Sequence, residues 1–312
     1  MSVSFRGFDE PLILVTNDDG VESPGLVAAV RSVVGLGRVV VVAPTTQQTS
    51  RGRSMVGNFA DVLHAVSVPE LDEANEAYHI DASPALAVQH AMNTLFVDRW
   101  PDLVVSGVNY GENLGTDITI SGTIGAAFQA AAYGIPAIAA SQQVDIVHHY
   151  EYGDVDWDGS TRVVRAFVRR MLGTLDSLPA AGAPAGRARL NEPRPFPFDV
   201  LKIDVPTPCP PGTPELLSRL ARRHYFRYTI DAPTVESPIG AGRTSIDESL
   251  DLIRAGDDVH TLAVEHAVAV TPLSLDLTAP LDASARSLGM VEPGCSSNNH
   301  HAHIDKASGP VQ

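Results

Sequence analysis

Short, wholly apolar runs that alternate with helix-like stretches constrain this chain more than any other feature. LILV (12–15), VVVVA (39–43), LVVSGV (103–108) and IPAIAAS (135–141) have strand length but no polar alternation. A strand with one wet face alternates apolar and polar residues, whereas a strand covered on both faces does not. LVAAVRSVVGLG (26–37), PALAVQHAMNTLF (84–96) and TIGAAFQAAAYG (123–134) lie among these runs and read as helices. Pro24 stands where a first helical turn tolerates it, and Gly35, Gly37 and Gly134 stand where helices stop. Doubly buried strands separated by helices make βαβ units. The expected fold is therefore α/β, a mostly parallel sheet flanked by helices.

The rest of the chain is less regular. DVLHAVSVPE (61–70) with EAYHIDAS (76–83) reads as an extra strand or a hairpin insertion. In STRVVRAFVRRMLGTL (160–175), Val163, Val164, Phe167, Val168 and Met171 recur at helical spacing. A Pro-rich connector follows at 180–198, and then VLKIDVP (200–206), which alternates like a strand. HYFRYTIDAPTV (224–235) and HAVAVTPLSLDLT (266–278) read as strands of a β-rich extension suited to dimerisation. The expected division is an α/β core at 1–206, a β-rich extension at 207–285 that returns to the core, and a disordered polar tail at 286–312. His300, His301 and His303 belong to that tail.

Composition removes several function classes. With 44% hydrophobic residues in 312, the chain can bury a core. No run reaches the roughly 18 apolar residues of a membrane span. The N-terminal MSVSFRGFDEP has no apolar stretch of the kind a secretory signal needs. The expectation is a cytoplasmic protein with no membrane partner. Cys209 and Cys295 are the only cysteines, which gives neither zinc spacing nor a disulfide framework. A formal charge of −15 argues against a nucleic-acid backbone footprint. It leaves room for a small anionic substrate, because a bound divalent cation reverses the local field.

In an open parallel sheet, ligands bind beyond the carboxyl ends of the strands. Three loops are expected at that edge: TNDDG (16–20), TTQQTSRGRSM (45–55) and SGVNYGENLG (106–115). Asn, Asp and Gly are also ordinary turn residues, so Asn17-Asp18-Asp19-Gly20 alone indicates a turn. The convergence of the three loops favours a metal site. Asp18 and Asp19 repel unless a cation or proton intervenes, and Gly20 permits the turn that would bring both to one ion. Asn109 offers an amide oxygen, and Thr49 or Ser50 a hydroxyl. Such an oxygen-rich set suits Mg²⁺ or Mn²⁺ better than zinc.

A fourth stretch, TISGTIGAA (119–127), places Ser121, Gly122 and Thr123 at a helix start. Read functionally it is an anion site. Read structurally it is an N-cap worth about 1 kcal/mol. Asn17, Ser50, Gly107 and Asn113 complete the candidate phosphate- or substrate-contacting set, although Gly107, Gly111 and Gly115 also fit plain turns. Arg51 and Arg53 could reach a phosphate, but solvated arginines are commoner. The chain contains neither a usable G-K-[ST] loop nor a G-x-S-x-G elbow.

The ordered set ILVTNDDG, APTTQQTSRGRS, SGVNYGENLG and SGTIGAA resembles the SurE family, the survival-protein 5′/3′-nucleotidases. The clear matches cover residues 12–141, with weaker agreement to about 278 through LKIDVP and AVTPLSLDLT. The resemblance implies a metal-dependent phosphatase that hydrolyses nucleoside 5′- and 3′-monophosphates, with one divalent cation per subunit. It carries the metal ligands onto Asp18, Asp19, Thr49 and Asn109. Thr49 is a departure, because the family has Ser there. The hydroxyl is retained, and Ser50 stands next to it. Leu86 is a second departure, at a position where the family usually has Asp. The fold implied is a Rossmann-like domain with a C-terminal β extension exchanged between subunits of a homodimer or homotetramer. In the mechanism this suggests, Asp19 doubles as the base for the attacking water, while Ser121, Gly122 and Thr123 hold the phosphoryl oxygens. Two other readings stand beside it: an exopolyphosphatase-type hydrolase, and a nucleotide-binding regulatory protein with impaired catalysis.

Overall fold

A computed structural model describes residues 8, 10–72, 75–149, 152–178, 194–247, 249 and 253–288. Most of the expected connector at 180–198, and residues 289–312 of the expected tail, lie outside these. In chain order the elements are β1 (Leu12–Thr16), α1 (Pro24–Val33), β2 (Arg38–Pro44), β3 (His64–Ala65), β4 (Glu76–Ile80), α2 (Pro84–Thr94), β5 (Leu103–Tyr110) and α3 (Gly122–Ala131). They continue with β6 (Ala137–Gln142), α4 (Asp158–Asp176), β7 (Val200–Val205), β8 (Glu215–Leu217), β9 (Phe226–Thr229), β10 (Arg243–Ile246), α5 (Asp258–Ala263), β11 (Val268–Leu273) and α6 (Leu281–Leu288). Residues up to Leu275 form one compact unit, and a second begins at Asp276.

Nine strands form one sheet in the order β3-β4-β2-β1-β5-β6-β7-β11-β8. β4, β2, β1, β5, β6 and β7 run parallel, with Ile13 opposite both Val39 and Leu103. Successive strand side chains point to opposite faces, and β1 shows the result. Ile13 and Val15 pack with Leu26, Val30 and Val33 of α1 and Val164 and Val168 of α4. Leu12 and Leu14 pack with Ala87, Val88 and Ala91 of α2 and Ile124 and Ala127 of α3. Two helical layers therefore cover the two faces, which explains why these strands carry no polar alternation. α1 begins as its residues dictate: Ser23 caps Gly25 N at 3.2 Å and Pro24 takes the first helical position.

Of the expected extra strand or hairpin insertion, β4 joins the main sheet parallel to β2, and the two-residue β3 pairs antiparallel with β4 at the edge of the same sheet. β11 also belongs to the main sheet, antiparallel to β7, and not to the β9–β10 ribbon. All six residues of β7 are buried, so its free edge needs a partner strand, and β11 supplies it. Among the described residues no helix is long and apolar enough to cross a membrane.

Candidate active site

The carboxyl ends of β1, β2, β5 and β6 open on a cleft of about 370 Å³. Asp18, Thr49, Ser50, Asn109, Asn113 and Ser121 all line it. Asp18 and Asp19 are 4% and 2% exposed, so the paired carboxylates are buried and not merely part of a surface turn. Gly20 adopts φ +99°, which lets the chain turn directly after them.

Each carboxylate has its own set of donors. Asp19 Oδ2 accepts Tyr110 N at 3.0 Å, and Oδ1 accepts Gln47 Nε2 at 3.3 Å. Thr123 donates its hydroxyl to Asp18 Oδ1, and the same hydroxyl lies 3.1 Å from Asn109 Oδ1. The Asn109 amide donates its N–H groups to the carbonyls of Gly111 at 2.8 Å and Tyr110 at 3.3 Å. That arrangement fixes the amide so that its oxygen faces the Thr123 hydroxyl. The second loop is tied in by Gln48 N, which donates to the Asp18 carbonyl at 2.6 Å.

The helix start at 121–123 mostly serves Asp18. Backbone N–H groups of Gly122 and Thr123 act on the Asp18 carboxylate. A Cβ on Gly122 would lie 2.6 Å from Asp18 Oδ2, so only glycine allows this approach. The anion at the N-terminus of α3 is thus the protein's own carboxylate. Ser121 caps the helix by accepting Ile124 N at 3.2 Å, and it also lines the cleft. Asp19, Gly122 and Thr123 do not themselves line the cleft, and Asn17, Gly107 and Arg53 turn elsewhere. Asn17 is buried and donates to the Gly20 carbonyl at 2.9 Å. Gly107 has φ +127° and lies against β6, where a Cβ would meet the Ala140 carbonyl at 2.2 Å. Arg53 turns to Gln129 Oε1 at 2.8 Å.

Burial raises the pKa of Asp18, against the hydrogen bond from Thr123. Burial also raises that of Asp19, with the Asp18 charge adding to it. Glu112, buried in the cleft wall, is pushed up to about 7 by burial. Two buried carboxylates and an amide oxygen, with hydroxyls in the facing loop, are oxygen donors of the kind a hard divalent cation accepts. Among the described residues no three His, Cys, Asp or Glu side chains cluster as a metal site. Any cation here would therefore depend on the amide and hydroxyl oxygens.

The sequence profile described as Survival protein SurE matches residues 13–227. The chain belongs to the SurE family. It is 36% identical over 272 residues to the 5′-nucleotidase SurE of Methanocella arvoryzae, covering 86% of this chain and 93% of that protein. It is 37% identical over 282 residues to the 5′-nucleotidase SurE of Methanothrix thermoacetophila, covering 86% and 95%. The crystal structure of the SurE protein from Aquifex aeolicus superimposes with a TM-score of 0.64 at 27% identity, covering 89% of this chain and all of that one.

Several residues in or beside this SurE cleft escaped the sequence reading. Gln47 lies inside a stretch already singled out, so its contact with Asp19 was within reach. His149, His224, Phe226 and Tyr228 reach the cleft from segments far away in sequence. No local pattern marks them.

Proposed function

We propose that this SurE protein hydrolyses nucleoside monophosphates to nucleoside and phosphate, with a divalent cation held by Asp18, Asp19, Asn109 and a hydroxyl of Thr49 or Ser50. The observation that carries this reading is the Asp18–Thr123–Asn109 cluster, in which Asp18 and Asn109 line the cleft and both meet the Thr123 hydroxyl. The curated relatives share the name 5′-nucleotidase, which supports the same substrate class. When bound, Mg²⁺ or Mn²⁺ supplies Lewis-acid polarisation of the phosphoryl group and a more acidic water.

The chain's own residues do the positioning. Thr123 and the N–H groups of Gly122 and Thr123 hold the Asp18 carboxylate in place. Tyr110 N and Gln47 do the same for Asp19. In this reading Asp19, held by Tyr110 N and Gln47, takes the proton of the attacking water. Ser121 faces the phosphoryl oxygens from the cleft wall. Asn113 is held for substrate contact by Ser141, whose hydroxyl accepts its Nδ2 at 2.8 Å. A polyphosphate chain fits less well, because among the described residues no lysine or arginine lines the cleft.

The test is phosphate release from AMP and 3′-AMP in EDTA and with added Mg²⁺ or Mn²⁺, beside Asp18→Asn. Release should require metal and fall at least about 100-fold in the variant. Near-wild-type turnover of the variant at saturating metal would sink the ligand assignment. Nucleotide binding without release by folded wild-type protein would point to the regulatory reading.

A further inference from the structure

The cleft, at about 370 Å³, is larger than a phosphate requires, and its lining has two chemistries. Its inner part is polar, with the buried Asp18 and Ser121 beside Asn109. Its outer part is apolar and aromatic, with Ile120 and Tyr228, which are 55% and 54% exposed, beside Ile146, His149 and Phe226. Phe226 and Tyr228 are two apart on β9 and so share a face. Arg227, between them, pairs with Asp247 at 2.9 Å. His149 and Phe226 meet edge to face, with centroids 5.4 Å apart and planes at 87°.

This corner is held by the same loop that carries the inner site. Asp117, just beyond Asn113, accepts Tyr225 N at 2.8 Å and Phe226 N at 2.9 Å. The His149 ring packs directly on Gly111, where a Cβ would lie 2.6 Å from it. With no lysine or arginine lining the cleft among the described residues, the outer end offers stacking and not a second anion site.

We propose that Phe226 and His149 form the subsite for the planar base of the nucleotide, and that the β9–β10 ribbon thereby selects nucleotides over other phosphate monoesters. The proposal rests on the nucleotidase reading and deepens it. Base–aromatic stacking is worth roughly 1–3 kcal/mol, which is about 5- to 150-fold in affinity.

The experiment measures binding of the non-hydrolysable phosphonate analogues of AMP and of ribose 5-phosphate by calorimetry with Mn²⁺. It compares wild-type protein, Phe226→Leu and Phe226→Trp. The wild type should bind the AMP analogue about tenfold or more tightly than the ribose analogue. Phe226→Leu should shrink that ratio to about two or less, and Phe226→Trp should restore it. Binding of the ribose analogue serves as the control for a folded inner site. Equal affinities in the wild type, or an unchanged ratio in Phe226→Leu, would overturn the subsite. Phosphate release from AMP is followed in parallel. A preserved base preference without release would overturn the hydrolysis reading and leave the subsite standing.

Discussion

Two adjacent carboxylates almost wholly buried are an electrostatic liability, and the residues around Asp18 and Asp19 are arranged to bear it. Thr123, Gln47 and the N–H groups of Tyr110, Gly122 and Thr123 offset part of the cost. The net effect still leaves both pKa values raised, chiefly by burial. In the unfolded chain these groups titrate near 4. Because their folded values lie higher, the favourable term is complete below about pH 4 and is lost as pH rises through the folded values. Metal-free protein should therefore melt at a lower temperature at pH 8 than at pH 5. Glu112 contributes to that slope in the same direction, so the informative comparison is with Asp19→Asn, which should flatten it. Added Mg²⁺ or Mn²⁺ should raise the melting temperature most at the alkaline end. Thermal melts in EDTA across this range check all three outcomes, and an identical slope in Asp19→Asn would count against the burial argument.

Among the elements, β7 shows how the sheet interior supports the loop after β5. Lys202 is fully buried, and its Nζ meets Asp204, the Asp258 Oδ2 at 3.1 Å and the Asn113 carbonyl at 2.8 Å. Asp204 accepts Asn113 N at 2.7 Å. Asp258, at the start of α5, accepts Gly115 N at 3.1 Å and Ala221 N at 2.9 Å. One ammonium thus ties β7, α5 and the 111–115 segment together. Removing it leaves two buried carboxylates without their cation. Lys202→Met should cost about 3–5 kcal/mol in urea denaturation. A loss below about 1 kcal/mol would mean that the triad is not formed in solution. In VLKIDVP the sequence shows a strand with inward charges, but their partner Asp258 lies more than fifty residues away, at a place no spacing rule reaches.

For the whole molecule, the open question is what the ribbon and its connection do beyond the cleft. Val235 and Ile239 are 105% and 91% exposed, and Tyr228 is 54% exposed. Exposed apolar side chains gathered in one segment are a mark of an association surface. The expected assembly is a homodimer or homotetramer that uses this segment. Light scattering after size exclusion should give a multiple of 33.1 kDa, and Val235→Asp with Ile239→Asp should shift it toward the monomer. A wild-type monomer at micromolar concentration would remove that role from the ribbon. The strands and the helices around β1, β2, β5 and β6 were legible because double burial leaves an unbroken apolar run and helix stops leave glycines. The inner site was legible for the same local reason: residues after parallel strands share one edge, so Asp18, Thr49 and Asn109 had to approach one another. The sequence by itself determined the sheet, its loaded edge and the oxygen-donor chemistry there. Only the tertiary structure decided that Gly122 and Thr123 serve Asp18, that Gly107 serves the sheet, that β11 completes the core, and that Phe226 and His149 wall the cleft. Those outcomes depend on close packing between segments distant in the chain, and pairwise distance in space is not written in residue order.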